Sequence, residues 1–244
     1  HTWAKRLKCE AFFEMARERP EILPAYTRQY GREALSAEER DVIPRASRLL
    51  RELLLDRPPE HLPPQVVDLG CGEAFMARQL RSLPWPEEVL RPKVVSVDAA
   101  PLAEGVEVHN LADLPSAWAG RFDVAVLCRA LWGKDYDRAL AEARRVLRPS
   151  SGAALLVVEP FKRWWGRERP SENALLAALQ RGGFHVDAIH SHDLQPRPVE
   201  VGSATVRGFF QYVVARPGPP ATPPELAATA GGSAPEIAVP ARKK

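Results

Sequence analysis

The feature that most constrains this chain is a short apolar run that ends at two glycines. The run reads Gln65-Val66-Val67-Asp68-Leu69-Gly70-Cys71-Gly72. Glycine is favoured where the backbone must adopt a positive φ angle or approach a ligand closely. Small and apolar residues then recur at helical spacing from Glu73 to Leu83,. The stretch therefore predicts a buried parallel strand, a tight turn and a helix, which is the nucleotide-binding unit of a doubly wound sheet.

Strand and helix patterns alternate downstream of this turn. Apolar runs at 93–99, 106–110, 122–128 and 153–159 predict four more strands, and amphipathic segments at 135–147 and 171–180 predict helices,. Residues 185–190 and 205–215 predict two last strands that pair as an antiparallel hairpin,. We therefore expect an α/β fold with a seven-stranded sheet whose last strand runs antiparallel.

The chain divides into three predicted regions. Residues 1–60 have helical patterns and are expected to form an N-terminal helical cap, which either packs on the sheet or covers a ligand as a lid,. Residues 61–216 hold the strand and helix alternation and are expected to form the Rossmann-like domain,. Residues 217–244 are rich in proline and alanine and end in Arg242-Lys243-Lys244, so we expect disorder unless a protein partner orders them,.

Composition excludes several classes of protein. No apolar run approaches the roughly 20 residues that span a bilayer, so a membrane role is not expected,. The 3 cysteines are scattered without metal-ligand spacing, which predicts a reducing compartment and no zinc,. The formal net charge of +3 permits a nucleic-acid partner without requiring one,. Because the sequence begins at His1, a targeting signal for an organelle upstream of that residue would not be visible.

The glycine turn resembles motif I of S-adenosylmethionine-dependent methyltransferases. It lacks the third glycine of a dinucleotide fingerprint and carries Asp68 before the turn,. A pyrophosphate is repelled by a nearby carboxylate, whereas the ammonium-bearing methyl donor is attracted to it. Asp98, at the end of the second predicted strand, is expected to accept hydrogen bonds from ribose hydroxyls, the alternative being a solvated acid. Asn110 is expected to contact the adenine edge, with Leu111 packing on the adenine face.

Further segments resemble the family of ribosomal RNA-processing protein 8, or nucleomethylin, methyltransferases. The likeness runs from about Phe12 to Ala215 and is carried by segments 16–26, 68–72, 127–133 and 140–149. It implies a Class I methyltransferase fold and transfer of a methyl group from S-adenosylmethionine to N1 of an adenine in large-subunit ribosomal RNA. It also implies a place in ribosome biogenesis in the nucleolus of the nucleus.

The resemblance further implies a set of cofactor contacts. With the motif I residues Asp68 and Gly72, they are Thr27, Gly70, Asp98, Asn110, Leu111 and Cys128. Thr27, Asn110 and Leu111 stand where the family usually has histidine, aspartate and methionine. These replacements motivate a second hypothesis, in which a catalytically weak or inactive methyltransferase fold acts in ribosome assembly by binding RNA. A small-molecule methyltransferase is a third reading.

The ends of the fourth and fifth strands should flank the methyl group. Glu159 is the predicted catalytic contact to the target base, either as a polar partner or as a proton acceptor. The alternative for Glu159 is an acid at a strand end that accepts hydrogen bonds from a loop. Trp132 or Phe161 is expected to stack on the base, and Arg129 lies in the same fourth-strand loop,.

A basic and aromatic segment follows the fifth strand. It begins Lys162-Arg163-Trp164-Trp165. Alternating cations and indoles bind phosphates and stack on bases, so this segment is the predicted RNA-binding surface. The alternative is a solvated loop whose tryptophans pack on the helical cap.

Overall fold

The fold is described from a computed structural model. The structure describes residues 15–16, 18–22, 37–56, 63–87, 90–131, 135–160, 164, 174–190, 196–197 and 210–218. The strands are β1 Gln65–Leu69, β2 Lys93–Asp98, β3 Val106–Val108, β4 Val124–Cys128, β5 Ala154–Pro160, β6 Phe184–His190, β7 Pro196–Arg197 and β8 Phe210–Pro217. The α-helices are α1 Ala37–Leu55, α2 Phe75–Ser82, α3 Tyr136–Val146 and α4 Ala174–Arg181. Short 3-10 turns occupy Pro20–Ile22 and Ser116–Trp118.

All eight described strands join one sheet, in the order β3-β2-β1-β4-β5-β8-β6-β7. The pairs among β1 to β5 are parallel, whereas β8 pairs antiparallel with both β5 and β6. The predicted seven-stranded sheet with an antiparallel last strand is therefore confirmed. The two-residue β7, antiparallel to β6, is an addition that the sequence pattern did not predict.

Helices cover both faces of the sheet. Along β4, Val126 faces the layer of α1 and α2, and the next residue, Leu127, faces the layer of α3 and α4. This alternation follows because successive side chains of a strand point to opposite faces. Helix α1 lies within the region expected to form a cap, and its residues Ala46 and Leu50 are fully buried against the sheet.

At the amino ends of the parallel strands, a buried carboxylate fixes the start of the sheet. Asp123 is 1% exposed. Its Oδ2 accepts a hydrogen bond from the Gln65 amide at 2.7 Å, and its Oδ1 lies 2.9 Å from Nε of Arg148. A buried charge is tolerated when it is paired and hydrogen-bonded in this way. This network joins the beginning of β1 to the segment that leads into β5.

None of the helices in the described ranges is both long enough and apolar enough to cross a membrane.

Candidate cofactor and substrate site

The glycine turn lies where β1 ends, at the edge of the sheet formed by the carboxyl ends of the parallel strands. The amides of Gly70 and Cys71 both donate to the carbonyl of Val97, at 2.8 and 2.9 Å, which ties the turn to β2. Gly70 and Gly72 have φ angles of 77° and 55°, which residues with a Cβ rarely adopt,. Both glycines therefore lie at positions where the backbone conformation favours a residue without a Cβ.

The two glycines have different surroundings. A Cβ added to Gly70 would lie 2.6 Å from the Cβ of Ala130, in the loop after β4. A Cβ added to Gly72 would meet nothing within 4 Å. Gly70 is thus a packing position between two loops, whereas Gly72 borders open space in which a ligand can approach the backbone.

Asp98 ends β2 beside this turn. Its Oδ2 accepts from the Gly72 amide at 2.8 Å, and its Oδ1 accepts from the Ala99 amide at 2.8 Å. Burial raises the pKa of Asp98 above its ordinary value, and these amide hydrogen bonds oppose that rise,. Each carboxylate oxygen has a second lone pair, so the group can still accept from ribose hydroxyls. The ribose contact of Asp98 stays a prediction that this position suits.

Asp68 is the least satisfied polar group of the turn. The residue is 2% exposed, and its Oδ2 has no hydrogen-bond partner in the part of the chain that the structure describes. Burial, together with the neighbouring negative charge of Asp98, raises the pKa of Asp68 to about 7. Isolating a carboxylate from water without a partner is costly, and a nearby cation removes much of that cost. The site is therefore suited to a ligand that carries positive charge.

Asn110 and Leu111 lie on the other side of the turn. Asn110 is exposed, and its Oδ1 accepts a hydrogen bond from the Ala112 amide at 3.0 Å. Leu111 is partly buried, and its Cδ1 lies 3.5 Å from the position of a Cβ on Gly70. Leu111 therefore borders the glycine turn, whereas the side-chain oxygen of Asn110 already accepts a hydrogen bond within its own turn. The adenine contacts of both residues stay predictions.

Cys128 and Arg129 form the end of β4. Cys128 is buried, and burial together with the charge of Asp68 raises the pKa of its thiol far above the ordinary value. Arg129 has a φ angle of 58°, and its amide donates to the carbonyl of Val158 at 2.8 Å. Its half-buried guanidinium makes no hydrogen bond or ion pair to any residue in the part of the chain that the structure describes. A cation in this position is available to a ligand.

Glu159, the predicted catalytic contact, lies at the end of β5. The residue is fully buried. Its Oε1 accepts from the Leu131 amide at 3.0 Å, and its Oε2 accepts from Nε1 of Trp164 at 3.3 Å. A carboxylate that accepts from these two donors fits the alternative reading, an acid at a strand end that accepts hydrogen bonds from a loop, and the catalytic contact of Glu159 stays a prediction.

Trp164, a predicted RNA contact, lies in the core. Trp164 is 5% exposed, and its ring meets that of Tyr136 edge to face, with 5.1 Å between the ring centroids. Both residues belong to the core layer of α3 and α4. The indole therefore packs in the core and donates a hydrogen bond to Glu159, and its contact with RNA stays a prediction.

Six predicted site residues lie outside the described part of the chain. They are Thr27, Trp132, Phe161, Lys162, Arg163 and Trp165. Their roles in cofactor and RNA binding stay predictions. Ala130 and Leu131 belong to the fourth-strand loop that was expected to flank the methyl group. Their contacts with the Gly70 turn and with Glu159 were not predicted, because the position of a loop in the sequence does not say what the loop touches.

Part of this sequence is similar to curated proteins. Ribosomal RNA-processing protein 8 of Arabidopsis thaliana is 33% identical over 99 residues, which are 41% of this chain and 30% of that protein. The 25S rRNA (adenine(645)-N(1))-methyltransferase of Schizosaccharomyces pombe is 32% identical over 127 residues, 51% of this chain and 35% of that protein. The matched segment thus spans about a third of the length of each of these curated relatives.

Solved methyltransferase structures share the fold. The CurJ carbon methyltransferase matches with a TM-score of 0.54 and 15% identity, covering 80% of this chain and 58% of that one. An S-adenosylmethionine-dependent methyltransferase from Clostridium acetobutylicum matches with a TM-score of 0.52 and 9% identity, covering 80% and 98%. At such low identity the likeness shows the fold alone. A family model described as hypothetical methyltransferase matches residues 6–195, more than half of the chain. The chain therefore belongs to this methyltransferase family.

Proposed function

We propose that this chain is an S-adenosylmethionine-dependent ribosomal RNA methyltransferase that modifies N1 of an adenine in large-subunit ribosomal RNA during ribosome biogenesis. The observation that supports the cofactor is the buried Oδ2 of Asp68, which has no partner among the described residues and lies beside the open face of Gly72. The RNA substrate is supported by the names of the relatives from Arabidopsis thaliana and Schizosaccharomyces pombe.

The residues of the turn suit each part of the methyl donor. Asp68 would stabilise the cationic methionine part, because an unpartnered buried carboxylate gains most from a positive charge. Gly72 leaves room for the ligand to approach the backbone. Asp98 would accept the ribose hydroxyls, and Leu111 would pack on the adenine. Asn110 retains its side-chain amide nitrogen for the adenine edge, since only its oxygen is used by the Ala112 amide.

Methyl transfer requires that the methyl group and the attacking nitrogen are held in line and that water is excluded. When bound, S-adenosylmethionine supplies an electrophilic methyl group on a positively charged sulfur. Adenine N1 is already nucleophilic, so no covalent protein intermediate is needed. Cys128 fits this view, because the raised pKa of its buried thiol disfavours the thiolate that would act as a nucleophile,. The chain's part is to hold the two reactants in line at the ends of β4 and β5.

The RNA side of the site has one described candidate. The guanidinium of Arg129 lies at the end of β4 without a partner in the described residues and is suited to a phosphate or a base edge,. Lys162 and Arg163 would extend this positive surface, with Trp132, Phe161 or Trp165 as stacking residues. This function would place the protein on ribosomal RNA or a pre-ribosomal particle in the nucleolus, with residues 217–244 available to a protein partner.

Calorimetry with S-adenosylmethionine tests the cofactor. We expect micromolar binding, and we expect Asp98→Ala and Gly70→Arg to abolish it, because the first removes the ribose acceptor and the second fills the space against Ala130. No heat signal with the unmodified protein would refute the cofactor assignment. Mass-spectrometric mapping of ribosomal RNA with and without the protein then tests the substrate, and an unchanged modification map would refute it.

The second candidate is a methyltransferase fold that binds RNA in ribosome assembly with weak or no catalysis. The use of the Asn110 oxygen within its own turn favours it, because less of that side chain is left for the adenine. The two functions separate experimentally. Cofactor binding without methylation of ribosomal RNA, combined with loss of particle association in Lys162→Ala and Arg163→Ala variants, would favour the assembly role.

A further inference from the structure

A single buried carboxylate joins the two chain segments that leave the carboxyl ends of β4 and β5. Glu159 accepts from the Leu131 amide at 3.0 Å on one side and from the Trp164 indole at 3.3 Å on the other. Trp164 in turn meets the ring of Tyr136, the first residue of α3, at 5.1 Å. Glu159 therefore contacts Leu131 directly and is linked to Tyr136 through Trp164.

The same loop forms a wall of the glycine turn. Ala130 precedes Leu131, and the Cβ of Ala130 would lie only 2.6 Å from a Cβ on Gly70. Arg129, one residue earlier, is fixed by its amide on Val158 and has a φ angle of 58°. Residues 129–131 thus begin at the strained end of β4, pass the glycine turn, and end at Leu131, whose amide donates to Glu159. A shift of the Leu131 amide would move Ala130 relative to Gly70.

We propose that Glu159 is a positioning residue that holds the loop of Arg129, Ala130 and Leu131 against the Gly70 turn and couples this loop to Trp164. The proposal deepens the methyltransferase assignment and rests on it for its effect on activity, although its structural part is independent of activity.

The position of the carboxylate supports this role over proton transfer. Both Glu159 oxygens are occupied by donors of the protein, and no part of the residue is exposed. A buried carboxylate with charge-assisted hydrogen bonds from two segments restrains both of them. Its backbone is also restrained, since Glu159 is paired with Gln211 of β8. The side chain is therefore anchored in the sheet and reaches out to two loops.

Trp164→Phe is the informative variant, because it leaves the Glu159 carboxylate intact and removes only the indole donor and part of the ring. Trp118→Phe is the matched control, since Trp118 is also 5% exposed and also packs edge to face, against Phe122. For each full-length variant we would measure exchange of the Leu131 amide by hydrogen-exchange NMR, the affinity for S-adenosylmethionine, and kcat and KM for RNA methylation. Glu159→Gln is the second variant.

We expect Trp164→Phe to speed exchange of the Leu131 amide severalfold, and Glu159→Gln to speed it about tenfold or more, on the scale of a lost charged hydrogen bond. Trp118→Phe should leave this amide unchanged. In Trp164→Phe, kcat should fall with an unaltered pH profile, because the geometry changes and no titrating group is removed. Leu131 exchange in Trp164→Phe equal to that in Trp118→Phe would overturn the proposal.

The failures of the two proposals are distinguishable. If the unmodified protein binds no S-adenosylmethionine and yet Trp164→Phe accelerates Leu131 exchange, the methyltransferase function fails and the coupling stands. If the unmodified protein methylates RNA, and Glu159→Gln abolishes kcat while Trp164→Phe leaves both kcat and Leu131 exchange intact, Glu159 acts as a base and the positioning role is refuted.

Discussion

Two buried aspartates at opposite edges of the sheet have opposite surroundings. Asp123, at the amino ends of the strands, is 1% exposed and bonds to the Gln65 amide and to Arg148. Asp68, at the carboxyl ends, is 2% exposed, and its Oδ2 has no hydrogen-bond partner among the described residues. The first carboxylate is paired within the protein, whereas the second would gain most from a cation. The contrast supports the proposed ligand site at the carboxyl edge.

The largest expected effect is at the carboxyl edge, in Gly70→Ala. The added Cβ would lie 2.6 Å from that of Ala130, at a φ angle of 77°. We expect a loss of about 3 to 4 kcal/mol in the free energy of unfolding from overpacking and backbone strain together, and loss of cofactor binding. Urea unfolding and calorimetry measure both. Gly105→Ala is the control, since its φ of 78° is similar but its Cβ would meet nothing within 4 Å. Equal losses in the two variants would show that the contact with Ala130 is unimportant.

The aspartates themselves should respond with opposite signs. Asp123→Asn should lower the free energy of unfolding by about 2 to 3 kcal/mol, because it breaks a buried pair with Arg148. Asp68→Asn should leave it unchanged or raise it at pH 8, because it removes a buried charge that has no partner on Oδ2,. Cofactor affinity should fall in Asp68→Asn and stay normal in folded Asp123→Asn. A comparable destabilisation by both substitutions would break the contrast between the edges.

The pH dependence of stability should reveal Asp68. Its pKa in the folded protein is about 7, compared with an ordinary value of 3.8. Between these values the folded state binds the proton more tightly, so the free energy of unfolding should fall as the pH rises from about 4 to 7. The total should be on the order of a few kcal/mol. Urea unfolding without cofactor at pH 5 and pH 8 measures the change. Asp68→Asn should remove this contribution, and identical pH profiles for the two proteins would contradict the assignment.

The smallest expected effect is at Arg129. Its φ of 58° is strained for arginine and ordinary for glycine,. Arg129→Gly should therefore raise the melting temperature slightly, with a gain of up to about 1 kcal/mol, and weaken RNA binding severalfold with a smaller salt dependence. Thermal unfolding and RNA titration at two salt concentrations provide the measurements. Arg129→Lys is the control, because it keeps the charge and the strain. Unchanged RNA affinity in Arg129→Gly would remove this cation from the proposed RNA surface.

Most of the fold was predictable because its signals are local. The alternation along β4 and the helical spacing from Glu73 to Leu83 reflect which side chains must leave water, and each pattern is complete within a few residues. The two-residue β7 has no such pattern, since Pro196 and Arg197 are too few to define a period. Its pairing is decided by the neighbouring β6 alone.

A site residue was predictable from the sequence only where its residue type, at that place in the motif, indicates one kind of ligand. An acid before Gly70 and Gly72 indicated a ligand that is not a pyrophosphate, and the structure leaves Asp68 without a partner on Oδ2 there. The roles of Glu159 and Trp164 were not predictable, because they depend on the Leu131 amide and the Tyr136 ring, which are close only in the folded chain. Cations beside indoles give the same sequence pattern whether a tryptophan faces RNA or the core.

The position of β8 has a consequence for the order of assembly. This strand is the last described element of the chain, yet it lies between β5 and β6. β5 and β6 cannot complete their hydrogen bonding until residues 210–217 have left the ribosome, so each of these two strands waits with one open edge,. Glu159, paired with Gln211, lies at that junction. The proposed positioning residue therefore gains its partner on β8 only after residues 210–217 have been synthesised.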